Sequence, residues 1–316
     1  MTHVYLDWNI INQIEKDLKP IYGDLKKLIS TDEIITPYSN AHINDLVRGY
    51  EKNPDYIQGH LSIIKELTNN LCIVQYWGEK NVKWHYRDIS EFFNSALEDI
   101  ETSPKSYTEL FNSFEDSAPG ASSLWKLQLS LLKSQKLPDT FKTAFKDPTF
   151  SKVFPKAKTE MTMLALHEDI FNFSFNAKKD YTLYKTIRSY VNQNRAKLKE
   201  QSNMFKGIDK SMEGTPSHLI FDNHWENYSG KTKITDNPIY QKITATYQKI
   251  DFRGFKSDEK FANLIDDSLH VFYGAYCEYF LTIDDKCLYK AIETYKELKI
   301  DTKAMKPEEF LLSYQS

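Results

Sequence analysis

Only ten glycines occur in 316 residues, and none are grouped into the Gly-rich loop that cradles a nucleotide phosphate, so a P-loop or dinucleotide fingerprint is excluded. Cysteine is equally sparse. Cys72, Cys277 and Cys287 lack CxxC spacing, which argues against both a disulfide framework and a thiolate zinc site; reduced, mostly buried thiols are expected. No run of about 18 apolar residues is present to span a bilayer. The N-terminus has neither a basic start nor the apolar stretch of roughly 7 to 15 residues of a secretory signal. The expectation is a cytoplasmic protein without a membrane partner.

What is present is a chain long enough for a substantial core, with 41% hydrophobic residues and a formal net charge of only -3. That balance conceals an asymmetry. Residues 126–210 hold 17 Lys and Arg against 8 Asp and Glu, or +9, which leaves -12 for the remainder. A basic segment beside an acidic remainder suits a protein that grips a polyanion with one part and holds cations with another. The plainer reading is a lysine-rich solvated helical surface.

Residues 3–7, HVYLD, read as a short buried strand, and 8–29 carry helical periodicity interrupted at Pro20. A second strand is expected in EIITPYS (33–39), then a helix capped by Ser39 or Asn40, a further helix, and a third strand in LCIVQYW (71–77). This alternation is of the α/β kind, a parallel sheet flanked by helices. From about 81 to 254 the pattern changes to apolar residues at three and four spacings with few strand signals, read as a mostly helical insertion. Its joints are SAPGASS (117–123), KDPTF (146–150) and GTPSH (214–218). A helix over 262–280, a strand in FLTID and a helix in DKCLYKAIETYKEL return to the α/β pattern. The domain is thus expected as 1–80 and 255–316 around the insertion.

Four acidic positions fall where strand ends and helix starts would gather them: Asp7, Asp45, Asp266 or Asp267, and Asp284. In open parallel sheets the ligand crevice lies outside the carboxyl ends of the strands. Carboxylates within about 4 to 6 Å raise one another's pKa, and the usual compensator is a hard divalent cation such as Mg²⁺ or Mn²⁺. Each acid taken singly has a structural reading too, as a helix cap or a solvated loop residue.

Three stretches together resemble the PIN-domain family of metal-dependent nucleases. VYLDWNII is similar to that family's first strand ending in Asp. IITPYSNAHINDLVRG resembles its strand, Ser or Thr, and acid-bearing helix. NLIDDSLHVFYGAYCEYFLTIDDKCL resembles its late helix and the strand closing in Thr, any residue, Asp. The resemblance covers about 1–80 and 255–300. It implies a catalytic and metal-binding set of Asp7, Asp45, Asp267 and Asp284 holding Mg²⁺ or Mn²⁺, supported by Asn9, Ser39 and Thr282. Asp267 is preferred to Asp266 because Asp267, His270 and Gly274 share a helix face and a histidine three residues after the acid looks like a PIN-like branch; Asp266 is the reserve. His270 would touch a scissile phosphate or orient Asp267. The implied activity is an endoribonuclease with metal-activated water, acting on RNA such as tRNA or single-stranded RNA, or on single-stranded DNA. The family's habits add a toxin or antiviral defence role and an inhibitory or activating protein partner.

The insertion supplies candidate nucleic-acid contacts. FNFSFNAKKDYTLYKTIRSYVNQNR interleaves aromatics with basic residues, and Arg188, Arg195, Lys197 and Lys199 are the candidate phosphate contacts. Helical core packing of Phe171, Phe175, Tyr184 and Ile187 is the simpler account of the aromatics. His218, Asp222 and His224 fit no zinc spacing. Haloacid-dehalogenase-like phosphotransferases also end their first strand in Asp, but they place a second Asp two residues later, where this chain has Asn9. The non-enzymatic alternative is a catalytically silent PIN-like module that binds RNA or protein.

Overall fold

The computed structural model describes residues 1–16, 19–76, 79, 81–102, 109, 122–179, 181–193, 238–258 and 260–314. The chain divides into two compact units. One comprises Met1–Ile100, Gly214–Asp258 and Asn263–Ser316; the other comprises Glu101–Glu213 and Glu259–Ala262. The strand that follows residue 80 and most of the helix after it belong to the first unit.

In the first unit, β1 (Thr2–Leu6) leads into α1 (Trp8–Lys16) and α2 (Pro20–Ile29), then β2 (Ile34–Ile35), β3 (Tyr38–Ser39), α3 (Asn40–Tyr50), α4 (Ile57–Thr68), β4 (Leu71–Val74), β5 (Lys83–Tyr86) and most of α5 (Ile89–Thr102). Pro20 opens α2 at a position where a missing N–H costs nothing. Ser39 caps α3 by accepting from the Ala41 N–H, while His42 Nδ1 accepts from the Ser39 N–H, a capping box with histidine in the usual Glu or Gln place. The expected single strand over 33–39 is two short strands in different sheets, since Pro37 between them cannot donate to a ladder.

The second unit holds α6 (Ser122–Ser134), α7 (Thr140–Ala144), α8 (Pro148–Val153), α9 (Pro155–Glu160), α10 (Met163–Lys179) and α11 (Tyr181–Gln193). Its core gathers Leu137, Phe141, Phe145, Ala157, Met163, Ala165 and Leu166. The KDPTF joint is a helix start, with Asp147 accepting from Thr149 N at 2.8 Å and Pro148 in the first turn.

The first unit is completed by α12 (Pro238–Phe252), most of α13 (Phe261–Gly274), β6 (Tyr279–Leu281), α14 (Asp285–Leu298), β7 (Lys303–Met305) and α15 (Pro307–Tyr314). Its main sheet runs β2-β1-β6-β7 with every neighbouring pair parallel. Val4, Tyr5 and Leu6 of β1 are fully buried, as a central parallel strand covered on both faces requires. A second sheet runs β3-β4-β5, with β4 and β5 antiparallel. The three cysteines are unpaired and buried.

The late helix stops at Gly274, six residues short of expectation, because β1 captures the chain: Glu278 N donates to His3 O at 3.0 Å, and Val4 pairs with Tyr279. Glu278, expected near the end of that helix, instead precedes β6 and pairs with His3 at 3.2 Å. Gly274 is a packing glycine. A Cβ there would stand 2.7 Å from Phe280 Cδ2 and 2.9 Å from Tyr295 Oη, whose hydroxyl donates to Val271 O. Gly274→Ala is expected to destabilise by about 1–3 kcal/mol, read as a lowered urea midpoint at unchanged slope; an unaltered midpoint would show that this contact is loose.

Candidate functional site

The connection from β1 runs to β2 on one side, whereas that from β6 runs to β7 on the other. The carboxyl ends of β1 and β6 therefore form the switch point of the sheet, where a crevice opens in parallel α/β folds. Asp7 follows β1 directly and Thr282 follows β6. Here lies a cleft of about 150 Å³ lined by Asp7, Trp8, Asn9, Asp45, Arg48, Asn263, Asp267 and His270.

Asp7 is buried, and its Oδ2 accepts from Thr282 Oγ1 and Asn9 Nδ2, each at 2.6 Å. Asn9 Nδ2 also reaches Thr282 Oγ1 at 3.0 Å, and its Oδ1 accepts from Ile283 N at 3.3 Å, so the side chain is clamped between the two strand ends. Burial pushes the Asp7 carboxyl up. The charge of His270 and the Thr282 hydrogen bond oppose that shift, and the charges of Asp45 and Asp284 add to it.

Asp45 is differently placed. Its Oδ2 accepts from His270 Nε2 at 2.7 Å and its Oδ1 from Arg48. Burial alone would raise this carboxyl, but the hydrogen bond and charge of His270 together with Arg48 outweigh burial and hold it below the usual range. Burial likewise opposes charge on His270, yet its bond to Asp45 and the charges of Asp7, Asp45 and Asp266 keep the imidazole above its ordinary value. His270 Nδ1 lies 3.0 Å from Tyr5 Oη, which sits 2.6 Å from Ser39 Oγ. Behind them, His42 Nε2 donates to Leu6 O at 2.8 Å, its pKa pushed down to about 3 by burial and then by the charge of His270. A buried row thus runs from Asp45 through His270 and Tyr5 to Ser39. The histidine orients Asp45, not Asp267.

Asp267 lies half-buried in the cleft, its Oδ2 facing the Tyr247 hydroxyl at 3.4 Å. Burial, then the charges of Asp258 and Asp7, raise its carboxyl well above the usual range despite Lys290. Asp266, about 100° round the helix, is held by Arg48 instead. Asp284 is exposed, does not line the cleft, and caps α14 by accepting from Lys286 N at 2.7 Å and Cys287 N at 3.0 Å. In the second unit, Arg188 is buried with its guanidinium 5.2 Å from the Tyr184 ring, a packed position rather than the solvent-facing one that a phosphate contact needs. Arg195, Lys197 and Lys199 lie outside the described residues, as do His218, Asp222 and His224.

Arg48, Tyr5 and His42 were not singled out from sequence. Arg48 had a signal, the spacing Asp45-x-x-Arg48 on one helix face; Tyr5 and His42 read as ordinary core and helix residues.

Hard carboxylate oxygens are the donors that Mg²⁺ or Mn²⁺ prefers, so the chemistry of the donor set fits such an ion. The arrangement fits less well, since both oxygens of Asp45 are engaged by cations of the chain. Among the described residues, no group of three or more His, Cys, Asp or Glu is disposed to hold a metal ion. Comparison with family models, curated proteins and solved structures gives no match.

Proposed function

We propose that this chain is a PIN-like nuclease that hydrolyses phosphodiester bonds of RNA with the help of Mg²⁺ or Mn²⁺. One observation carries the reading: Asp7, Asp45 and Asp267, remote in sequence, line one cleft at the switch point of a parallel sheet. Asp7 and Asp267 are pushed toward protonation there, an arrangement that costs stability unless a cation is taken up. Asp7, Asp267 and, once released from Arg48, Asp45 would hold that cation. The chemistry a bound divalent ion supplies at such a site is activation of water and neutralisation of charge on the phosphodiester.

The chain's own residues do the rest. Asn9 and Thr282 fix the Asp7 carboxylate, His270 fixes Asp45, and the N–H groups of Arg48 are the donors in the cleft suited to a phosphate oxygen. Asp284 is a positioning residue in this reading, anchoring α14 beside the strand end. The segment between the two parts of the α/β domain serves as an insertion that selects substrate or partner.

A catalytically silent module is the second reading, favoured by the engagement of both Asp45 oxygens. Labelled single-stranded RNA, tRNA and single-stranded DNA incubated with Mn²⁺, Mg²⁺ or EDTA separate the two. Cleavage of RNA with metal, abolished by EDTA and reduced about 100-fold or more in Asp7→Asn, is the expected result. Binding without cutting under every condition would favour the silent module, and cutting of DNA alone would change the substrate.

A further inference from the structure

Arg48 of the cleft is held between two acids from different parts of the fold. Its Nη2 donates to Asp45 Oδ1, three residues earlier on α3, and its Nη1 donates to Asp266 Oδ2 on α13. The side chain is 36% exposed, so it sits at the cleft mouth rather than beneath it, whereas both carboxylates are buried. A guanidinium remains charged at any physiological pH and satisfies a carboxylate oxygen as a metal would, but it also keeps further N–H donors in a fixed planar fork.

Two of the three cleft acids contrast with Asp45. Asp7 has neutral donors in Asn9 and Thr282 and, for positive charge, the distant approach of His270, 3.8 Å from its Oδ1, while Asp267 faces a tyrosine hydroxyl at 3.4 Å. Asp45 is therefore the acid that the chain itself keeps supplied with positive charge, and Arg48 is the partner exposed enough to leave. Asp266 would retain the guanidinium when it does, because it holds the other amino group from α13. That also explains why adjacent acids on α13 have different tasks: Asp267 faces the cleft and Asp266 holds the arginine.

Resting on the nuclease reading above, we propose that Arg48 is a resident cation of this cleft that exchanges with a divalent ion. It occupies Asp45 until the ion arrives, then remains tethered by Asp266 and turns its freed N–H donors to the substrate phosphate. Arg48 thereby links cation binding to binding of a phosphodiester, and a cleft without a metal is closed to productive substrate.

The test uses Mn²⁺ alone, titrated by electron paramagnetic resonance, and a phosphorothioate-linked RNA oligonucleotide followed by fluorescence anisotropy with and without Mn²⁺. Wild type is compared with Arg48→Ala and Arg48→Lys. Removing a competing cation is expected to tighten Mn²⁺ binding in Arg48→Ala by about 5-fold to 150-fold, while the gain in RNA affinity that Mn²⁺ gives the wild type disappears. Arg48→Lys, which keeps the charge without the fork, should tighten Mn²⁺ less and recover part of the RNA gain. It also supplies the answer if the alanine variant fails to fold. Wild-type Mn²⁺ binding with no tightening in either variant overturns the exchange while leaving the nuclease reading in place. An Mn²⁺-dependent RNA affinity that survives in Arg48→Ala overturns the phosphate contact. Absence of Mn²⁺ binding in wild type and both variants overturns the metal-dependent reading and the exchange together.

Discussion

Lys290→Ala is expected to destabilise the protein by about 3–5 kcal/mol. Lys290 lies on α14 with no exposed surface. Its Nζ donates to Asp251 Oδ1 at 3.0 Å and to Asp258 Oδ2, and it stands 4.7 Å from the centroid of the Tyr247 ring. Burial opposes the ammonium charge, but the charges of Asp258 and Asp251 outweigh it and hold the lysine above its ordinary value. Asp251 Oδ1 also accepts from Asp258 N at 2.7 Å, so one ammonium and one carboxylate fasten the end of α12 and the segment after it to α14. Truncation leaves two buried carboxylates without their cation. Urea denaturation at neutral pH measures the loss, and a change below about 1 kcal/mol would show that water reaches this cluster. A triple variant that also carries Asp251→Asn and Asp258→Asn should recover part of the loss, because it removes the uncompensated charge.

Asp267→Asn is expected to act in the opposite direction, raising stability at pH 8 in EDTA by on the order of 1 kcal/mol, within the range of single stabilising substitutions. The sign follows from linkage. Burial, then Asp258 and Asp7, raise the folded-state pKa of Asp267 above that of the unfolded chain. Stability from this group is therefore full below the ordinary carboxylate range and is lost as pH rises through the raised folded value. Asparagine carries no such penalty and can still accept from the Tyr247 hydroxyl. The advantage of the variant should shrink as pH falls and vanish below about 3, where Asp267 is protonated even in the unfolded chain. Thermal denaturation across pH checks it, and equal stability of the two proteins at pH 8 would refute the penalty. In the nuclease reading the same variant loses cleavage, and Mn²⁺ should raise the melting temperature of the wild type more than that of the variant, since binding to the folded state stabilises it. A carboxylate that weakens the fold while serving the cleft is what a stability and activity trade-off predicts.

The alternation of strands and helices, the break at Pro20, the Ser39 cap and Asp7 at the end of a buried strand all follow from local pattern, because each depends on neighbours within one turn or one strand. The short strands β5 and β7 did not show themselves. Three or four residues with little apolar alternation become strands only because β4 and β6 offer a partner. The late helix was overextended for the same reason, its last residues being competent for helix until β1 drew them into the sheet. Nothing in DKCLYKAIETYKEL sets Lys290 apart from its neighbouring lysines, since the acids that pair with it lie 39 and 32 residues away.

The acids themselves divide along the same line. That Asp7 ends a strand, that Asn9 follows at a distance fit to bond it, and that Asp45 and Asp267 stand on helices are properties of short segments. Which of them meet is a property of the folded chain. The parallel order of β1 and β6 brings Thr282 to Asp7, 275 residues apart, and the fold sets Asp266 of α13 on Arg48 of α3 across 218 residues. Long-range pairing of this kind leaves no periodic trace in the sequence, because its energy comes from burial and charge compensation between segments whose separation only tertiary packing removes.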